Sequence, residues 1–283
     1  MTTDRVRKKA PHTRGAAALA LSLMLLSACA MGPDFPEPEK GFAPVARHIN
    51  GVNWVSPSTD LKPELPFMVF VHGTPGDWSG FSWYLADAEL GTYFNLIAPD
   101  RPGFGSTKHA VMPQLRDQAQ MLLDAMPTQQ TIWVTGHSLG APLALWMALL
   151  APERVQGVVL LAGSIDAAKE SPRWFNHLAD TVLAGWLLPA ALRRSNEEIM
   201  TLQSELEQLE KELPALRAAV LSIQGEKDQL VHPESPDLLH SVLSEDTVVR
   251  DLRWPNAGHF LLWDAPEPVS YTHLRAHETS LHL

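Results

Sequence analysis

The sequence predicts an α/β architecture: a mostly parallel central sheet covered by helices on both faces. Three observations carry that expectation. Strand-like and helix-like patterns alternate from Phe67 to Ala162, as they do when each parallel strand is followed by a crossover helix. The run Trp133-Val134-Thr135-Gly136-His137-Ser138-Leu139-Gly140 reads as a strand, a sharp turn and the start of an apolar helix. Two later strand patterns each lead into a short polar loop, one holding Asp228 and the other His259.

The elements follow in order. Asn50-Gly51, between Val45–Ile49 and Val52–Val55, signals a two-residue hairpin and an antiparallel start to the sheet. Phe67–Val71, Phe94–Ala98, Thr131–Thr135 and Val155–Ala162 are expected strands, and Leu139 to about Leu150 is an expected helix. Between about Ser164 and Arg217 the alternation breaks into a segment helical by pattern and too long for a simple crossover. A helical cap over the pocket is expected there. Within it Trp174, Leu178 and Val182 form one short apolar stripe. Ile199, Leu202, Leu206, Leu209, Leu213 and Leu216 form a longer one, behind a capping box of Ser195 and Glu198 and interrupted by Pro214. That stripe fits a cap helix packed on the core or lining the pocket entrance, and also a short dimerising coiled coil. Strands Ala218–Gln224 and Thr247–Leu252 complete the pattern. With 283 residues, 45% of them apolar, the chain suits one catalytic domain with a sizeable core.

The chemistry centres on Gly136-x-Ser138-x-Gly140. A serine on a tight strand-to-helix turn has its hydroxyl exposed above the sheet, and flanking glycines keep side chains out of the crowded backbone. The Leu139 N–H, at the helix N-terminus, is left to face a developing oxyanion. A serine of this kind needs a base and a group that orients the base. His259 and Asp228 follow in the order serine, acid, histidine, each just past a strand at the carboxyl edge of the sheet. Asp166, just past Val155–Ala162, is the rival acid. His232 and His240 are expected on the surface. No His-Glu-x-x-His spacing occurs in the main domain and the chain has one cysteine, so neither a metal nor another cofactor is expected.

Four motifs together make the chain resemble the α/β-hydrolase fold superfamily, in its esterase, lipase and peroxidase-like group, over about Val45 to Pro268. They are His72-Gly73-Thr74-Pro75-Gly76, Asp100-Arg101-Pro102-Gly103-Phe104-Gly105-Ser106, the serine elbow, and the paired Asp228 and His259 loops. The resemblance implies a serine hydrolase with Ser138, His259 and Asp228 as its triad, acting on a small-molecule carboxylic ester as a monomer. It places the second oxyanion donor at the Thr74 N–H, gives His72 and His137 the task of shaping the oxyanion loop and elbow, and makes Asp100–Ser106 a structural turn. Hydrolysis of a C–C bond in a vinylogous diketone uses the same triad, although relatives of that kind often carry an additional glycine in the oxyanion loop. Epoxide hydrolases and haloalkane dehalogenases place aspartate where this chain has Ser138. A non-catalytic envelope protein of the same fold is the remaining alternative.

The N-terminus is a separate unit. Arg5, Arg7, Lys8, Lys9 and Arg14 precede an apolar run from Ala16 to Ala28. That run is too short to span a bilayer, which takes about 20 residues, but suits a secretory leader. It closes on Leu26-Ser27-Ala28-Cys29, which resembles a bacterial lipobox, so residues 1–28 are expected to be a signal peptide and Cys29 a lipidation site. Residues 29–44 form a Pro-rich tether. Ala30 after the cysteine implies the outer membrane, with the domain facing the periplasm. The leader's five basic residues against Asp4 contribute +4 to the net charge of −10, leaving −14 on the rest. Such a chain has no basic stripe for nucleic acid or for anionic lipid, so the lipid on Cys29 is the expected membrane anchor.

The C-terminal run Val269-Ser270-Tyr271-Thr272-His273-Leu274-Arg275-Ala276-His277-Glu278-Thr279 resembles a translated sequencing adapter. Residues 269–283 are therefore expected to be non-native, and the His273/His277 pair is assigned no function.

Metabolic labelling with a palmitate analogue is expected to mark the wild-type protein and to leave Cys29→Ser unmarked. Equal labelling of the two would remove the lipobox reading.

Overall fold

The computed structural model describes residues 42–126, 130–181 and 188–270. The expected leader, Cys29, nearly all of the tether, Val182 of the short apolar stripe and the tail from residue 271 lie outside the described residues.

Eight strands form one sheet: β1 (Val45–Ile49), β2 (Val52–Ser56), β3 (Phe67–Val71), β4 (Asn95–Pro99), β5 (Ile132–His137), β6 (Val155–Leu161), β7 (Ala219–Gly225) and β8 (Val249–Trp254). Their order is β1-β2-β4-β3-β5-β6-β7-β8. β1 and β2 pair antiparallel, with Ile49 opposite Val52, through a turn in which Asn50 and Gly51 both have positive φ (49° and 84°). That is the twist-matched hairpin Asn-Gly favours. β2 also runs antiparallel to β4, and every pairing from β4 to β8 is parallel. β3, β4 and β5 are buried along their whole length, as parallel strands covered on both faces must be.

The covering helices include α1 (Leu115–Asp124), α2 (Gly140–Leu150), α3 (Trp174–Ala179), α4 (Ala190–Glu212) and α5 (Asp237–Val242). Every residue of α2 from Gly140 to Ala148 is buried, because the helix is enclosed by β5, β6, α1 and α4. This explains why its sequence is apolar on all sides instead of on one stripe. Among the described residues, no helix is long and apolar enough to cross a membrane.

α4 decides between the two readings of the leucine stripe. Leu202, Leu206, Leu209, Leu213 and Leu216 are buried in the same apolar cluster as Leu143, Met147 and Leu160, so the stripe packs on its own core and not on a second chain. Ile199 and Leu202 also reach the pocket. The expected capping box is a correction. α4 begins at Ala190, after Pro189 as N-cap, so Ser195 and Glu198 are interior to the helix. The Glu198 side chain turns instead to the buried Arg101, donor to both its oxygens at 2.7 and 3.0 Å. A buried guanidinium outcompetes a helix amide for that carboxylate. Pro214 sits in the short 3₁₀ turn Leu213–Ala215 that ends the helix.

Residues 266–270 are helical, and Val269 is buried in the apolar cluster on the other sheet face. Ser270 donates to the Asp87 carboxylate. The first two residues of the segment expected to be non-native therefore pack against the domain.

Glu198→Gln leaves a buried guanidinium with a neutral partner, and urea unfolding should show a loss of about 3–5 kcal/mol. Arg101→Met combined with Glu198→Met should lose clearly less than the sum of the single losses. Strict additivity would show that the two groups are not coupled.

Candidate active site

Ser138 stands between β5 and α2 with φ +54°, the left-handed region that a non-glycine residue occupies only when its surroundings hold it there. Its N–H donates to the Leu161 carbonyl at 2.9 Å, and its own carbonyl accepts from Ala141 (3.0 Å) and Ser164 (3.3 Å). A Cβ on Gly136 would run into the Gly140 carbonyl, and one on Gly140 into the carbonyl of Val71, so both elbow glycines are required by close approach. Leu139 is the N-cap of α2, which places its amide at the positive end of that helix.

The loops after β7 and β8 bring Asp228 and His259 together. His259 Nδ1 lies 2.8 Å from Asp228 Oδ2. The same carboxylate accepts Gln224 Nε2 at 3.0 Å and, on Oδ1, the N–H groups of Leu230 and Val231 at 2.8 and 2.9 Å. Burial works to raise the Asp228 pKa, but the His259 hydrogen bond and charge and the two amides outweigh it, and the carboxyl sits below its usual value. Asp166 is placed differently. It pairs with Lys169 at 3.4 Å and accepts the Ala168 N–H at 2.9 Å.

The loop after β3 approaches the elbow from the other side. A Cβ placed on Gly73 would lie 3.0 Å from Ser138 Cβ, so Gly73 passes directly beside the serine, and Thr74 lines the same cavity. Two buried groups hold this loop. His72 Nε2 accepts the Arg101 N–H at 3.0 Å, while Nδ1 donates to the Gly73 carbonyl at 2.8 Å. Arg101 donates to the same carbonyl at 2.9 Å and lies over the Phe104 ring at 4.9 Å. Asp100 is fully buried and accepts from Asn53 Nδ2 and the amides of Trp78 and Ser106 at 2.7–2.9 Å, which is a turn-building role.

Both flanking histidines are held neutral. His72 is pushed well below its ordinary value, first by burial and then by Arg101. His137 is pushed down to about 3, first by burial and then by the charge of His259. Its Nε2–H donates to the His259 carbonyl at 3.1 Å, and the two rings lie 4.9 Å apart. His232 and His240 are exposed.

Ser138, Leu139, Thr74 and His259 share one cavity of about 440 Å³, with Asp228 behind the histidine. Its walls are largely apolar, including Phe81, Phe104, Leu202, Val231, Phe260 and Trp263. Sequence reading missed Glu170, Arg173 and Arg194, which also line it. It missed the Arg101–Glu198 pair as well, although an arginine in a Pro- and Gly-rich turn directly after an apolar strand was a signal that a partner had to exist.

The comparisons agree with this geometry at the level of fold. The α/β hydrolase fold family matches residues 66–209, and the chain belongs to that family. Among solved structures, it is similar to a bacterial membrane phospholipase A described as a virulence factor, at 18% identity over 95% of this chain and 93% of that one, with TM-score 0.61. An epoxide hydrolase is similar at 19% identity over 84% and 99% of the two chains, with TM-score 0.68. So is a 2-hydroxy-6-oxo-6-phenylhexa-2,4-dienoate hydrolase from Rhodococcus sp., at 15% identity over 83% and 99%, with TM-score 0.63.

The neutral histidines make a pH prediction. Unfolding frees His137 to titrate near 6.5 whereas the folded chain holds it at about 3, so the unfolded state binds the extra proton between those values. Stability is then fully present above pH 6.5 and falls on acidification, by about 1.4 kcal/mol per pH unit for this group. Urea midpoints between pH 7 and pH 4 should show a shallower slope in His137→Gln, and an unchanged slope would mean that His137 is charged in the folded protein.

Proposed function

We propose that the chain is a serine hydrolase that cleaves small-molecule carboxylic esters through an acyl-enzyme, tethered to the bacterial cell envelope by lipid on Cys29. The observation that carries the reading is the Asp228–His259 pair, 2.8 Å apart, in the wall of the cavity onto which the strained elbow presents Ser138. Asp228 fixes the His259 tautomer with Nδ1 protonated, leaving Nε2 as the base. His259 takes the Ser138 proton as Oγ attacks the ester carbonyl, and the amides of Leu139 and Thr74 receive the negative charge that forms on its oxygen. His259 then returns the proton to the departing alcohol. Water repeats the sequence on the acyl-enzyme, releasing the acid. A cavity of about 440 Å³ with mostly apolar walls suits a substrate whose acyl part is hydrocarbon.

Fluorophosphonate labelling and a panel of p-nitrophenyl esters test this. Ser138→Ala should abolish the label and lower ester turnover by several orders of magnitude, and His259→Ala should lower turnover about as far, since nucleophile and base act as a unit. Asp228→Asn should cost about 10⁴-fold through the wrong tautomer. Asp166→Asn, whose carboxylate is paired with Lys169, should keep most of the activity. Wild-type turnover in Ser138→Ala would end the proposal. Labelling of Ser138 with no ester turned over would redirect it to C–C bond cleavage.

A further inference from the structure

The cavity lining holds a carboxyl that the ester mechanism leaves without a task. Glu170 is partly buried there, and its Oε1 accepts the Ser164 hydroxyl at 2.7 Å. Its Oε2 has no hydrogen-bond or ion-pair partner among the described residues. Asp77, another carboxyl of the lining, is held in a turn on the β3 side of the cavity, where its Oδ1 accepts both the N–H and the hydroxyl of Ser79. Arg173 is near enough to be felt by Glu170 but donates to the Gln229 carbonyl at 3.1 Å and forms no ion pair with it. Burial raises the Glu170 pKa, and the Ser164 hydrogen bond offsets this only in part.

The location matters as much as the chemistry. Ser164, which donates to Glu170, also donates its N–H to the Ser138 carbonyl at 3.3 Å, so the carboxyl is tied to the elbow by two hydrogen bonds. The segment that carries it is hydrogen-bonded to the chain that follows Asp228, Lys169 to the Glu234 carbonyl at 2.8 Å and Arg173 to the Gln229 carbonyl at 3.1 Å, which puts Glu170 on the histidine side of the serine. In ester cleavage the departing alcohol has to meet His259 to be protonated. Substituents on that alcohol, more than on the acyl chain, therefore pass Glu170. A partly desolvated carboxyl with one open oxygen is poorly matched to an alkyl group and well matched to a hydrogen-bond donor.

We propose that Glu170 selects esters whose alcohol carries a further hydroxyl beside the ester oxygen, that is, partial esters of polyols such as monoacylglycerols. The assignment rests on the serine-hydrolase reading above. A choline ester does not satisfy it, because trimethylammonium has no N–H or O–H to donate to the open oxygen.

The test compares 2,3-dihydroxypropyl butyrate, propyl butyrate and butyrylcholine on the full-length protein, with active enzyme titrated by the fluorophosphonate probe. Wild type should favour the dihydroxypropyl ester over the propyl ester by about tenfold or more in kcat/KM, the scale of one charge-assisted hydrogen bond. Glu170→Leu should bring that ratio to within about twofold of unity, and Glu170→Gln, which keeps a neutral hydrogen bond, should leave an intermediate ratio. A wild-type ratio near one, a wild-type preference for butyrylcholine, or an unchanged ratio in Glu170→Leu each overturns the proposal. Where Glu170→Leu fails to fold, the wild-type panel can still overturn the proposal, and an unchanged ratio in Glu170→Gln overturns it as well. Absence of fluorophosphonate labelling in wild type would instead count against the serine-hydrolase reading itself.

Discussion

The charge buried at Arg101 is the constraint around which the two halves of the site are arranged. Its side chain and that of Glu198 are completely enclosed, and desolvating such ions costs several kcal/mol each unless geometry restores the lost hydration. Restoration here is spread over several elements. Glu198 comes from α4, Gln118 Oε1 (3.0 Å) from α1, and the Gly73 carbonyl from the loop beside Ser138. Moving α4 away would strand the guanidinium, so the helix above the pocket and the loop beneath it share one registry. The leucines of α4 supply most of the apolar burial. They would tolerate a small slide along α2, which the bidentate ion pair does not.

A second constraint is the neutrality of the imidazoles around His259. In the proposed mechanism a positive charge forms on His259 each time it takes the serine proton. A charged His137, with ring centroids 4.9 Å apart, would oppose that step, and burial prevents it. His72 is kept neutral by the same desolvation together with Arg101. The depressed Asp228 carboxyl supplies the compensating negative charge on the far side of the ring. Downward shifts on all three neighbours leave the two histidines neutral and the aspartate charged, which confines the developing positive charge to one imidazole.

Much of the fold was legible in the chain because its signals are carried by neighbouring residues. Asn50-Gly51 marks a turn since those two residues accept positive φ. The elbow is marked by two glycines whose missing side chains make room for Gly140 and Val71 backbone. Parallel strands declare themselves as short apolar runs, and the Asp228 and His259 loops follow from where those runs stop. The same local logic failed at Ser195 and Glu198. Their spacing matches a capping box, but the helix had already begun at Ala190, and Glu198 had a stronger partner 97 positions away.

By itself, then, the sequence determined the strand order's raw material, the turn chemistry and the residue types available for catalysis, because period and turn propensity depend only on adjacent residues. Tertiary structure alone decided which acid meets His259, that the α4 leucines face their own core, that Arg101 and Glu198 pair in the interior, and that Glu170 comes to the pocket. Those outcomes depend on hydrogen bonds and desolvation between segments far apart in the chain. Such energies exist only once the sheet has brought the segments within a few ångströms of one another.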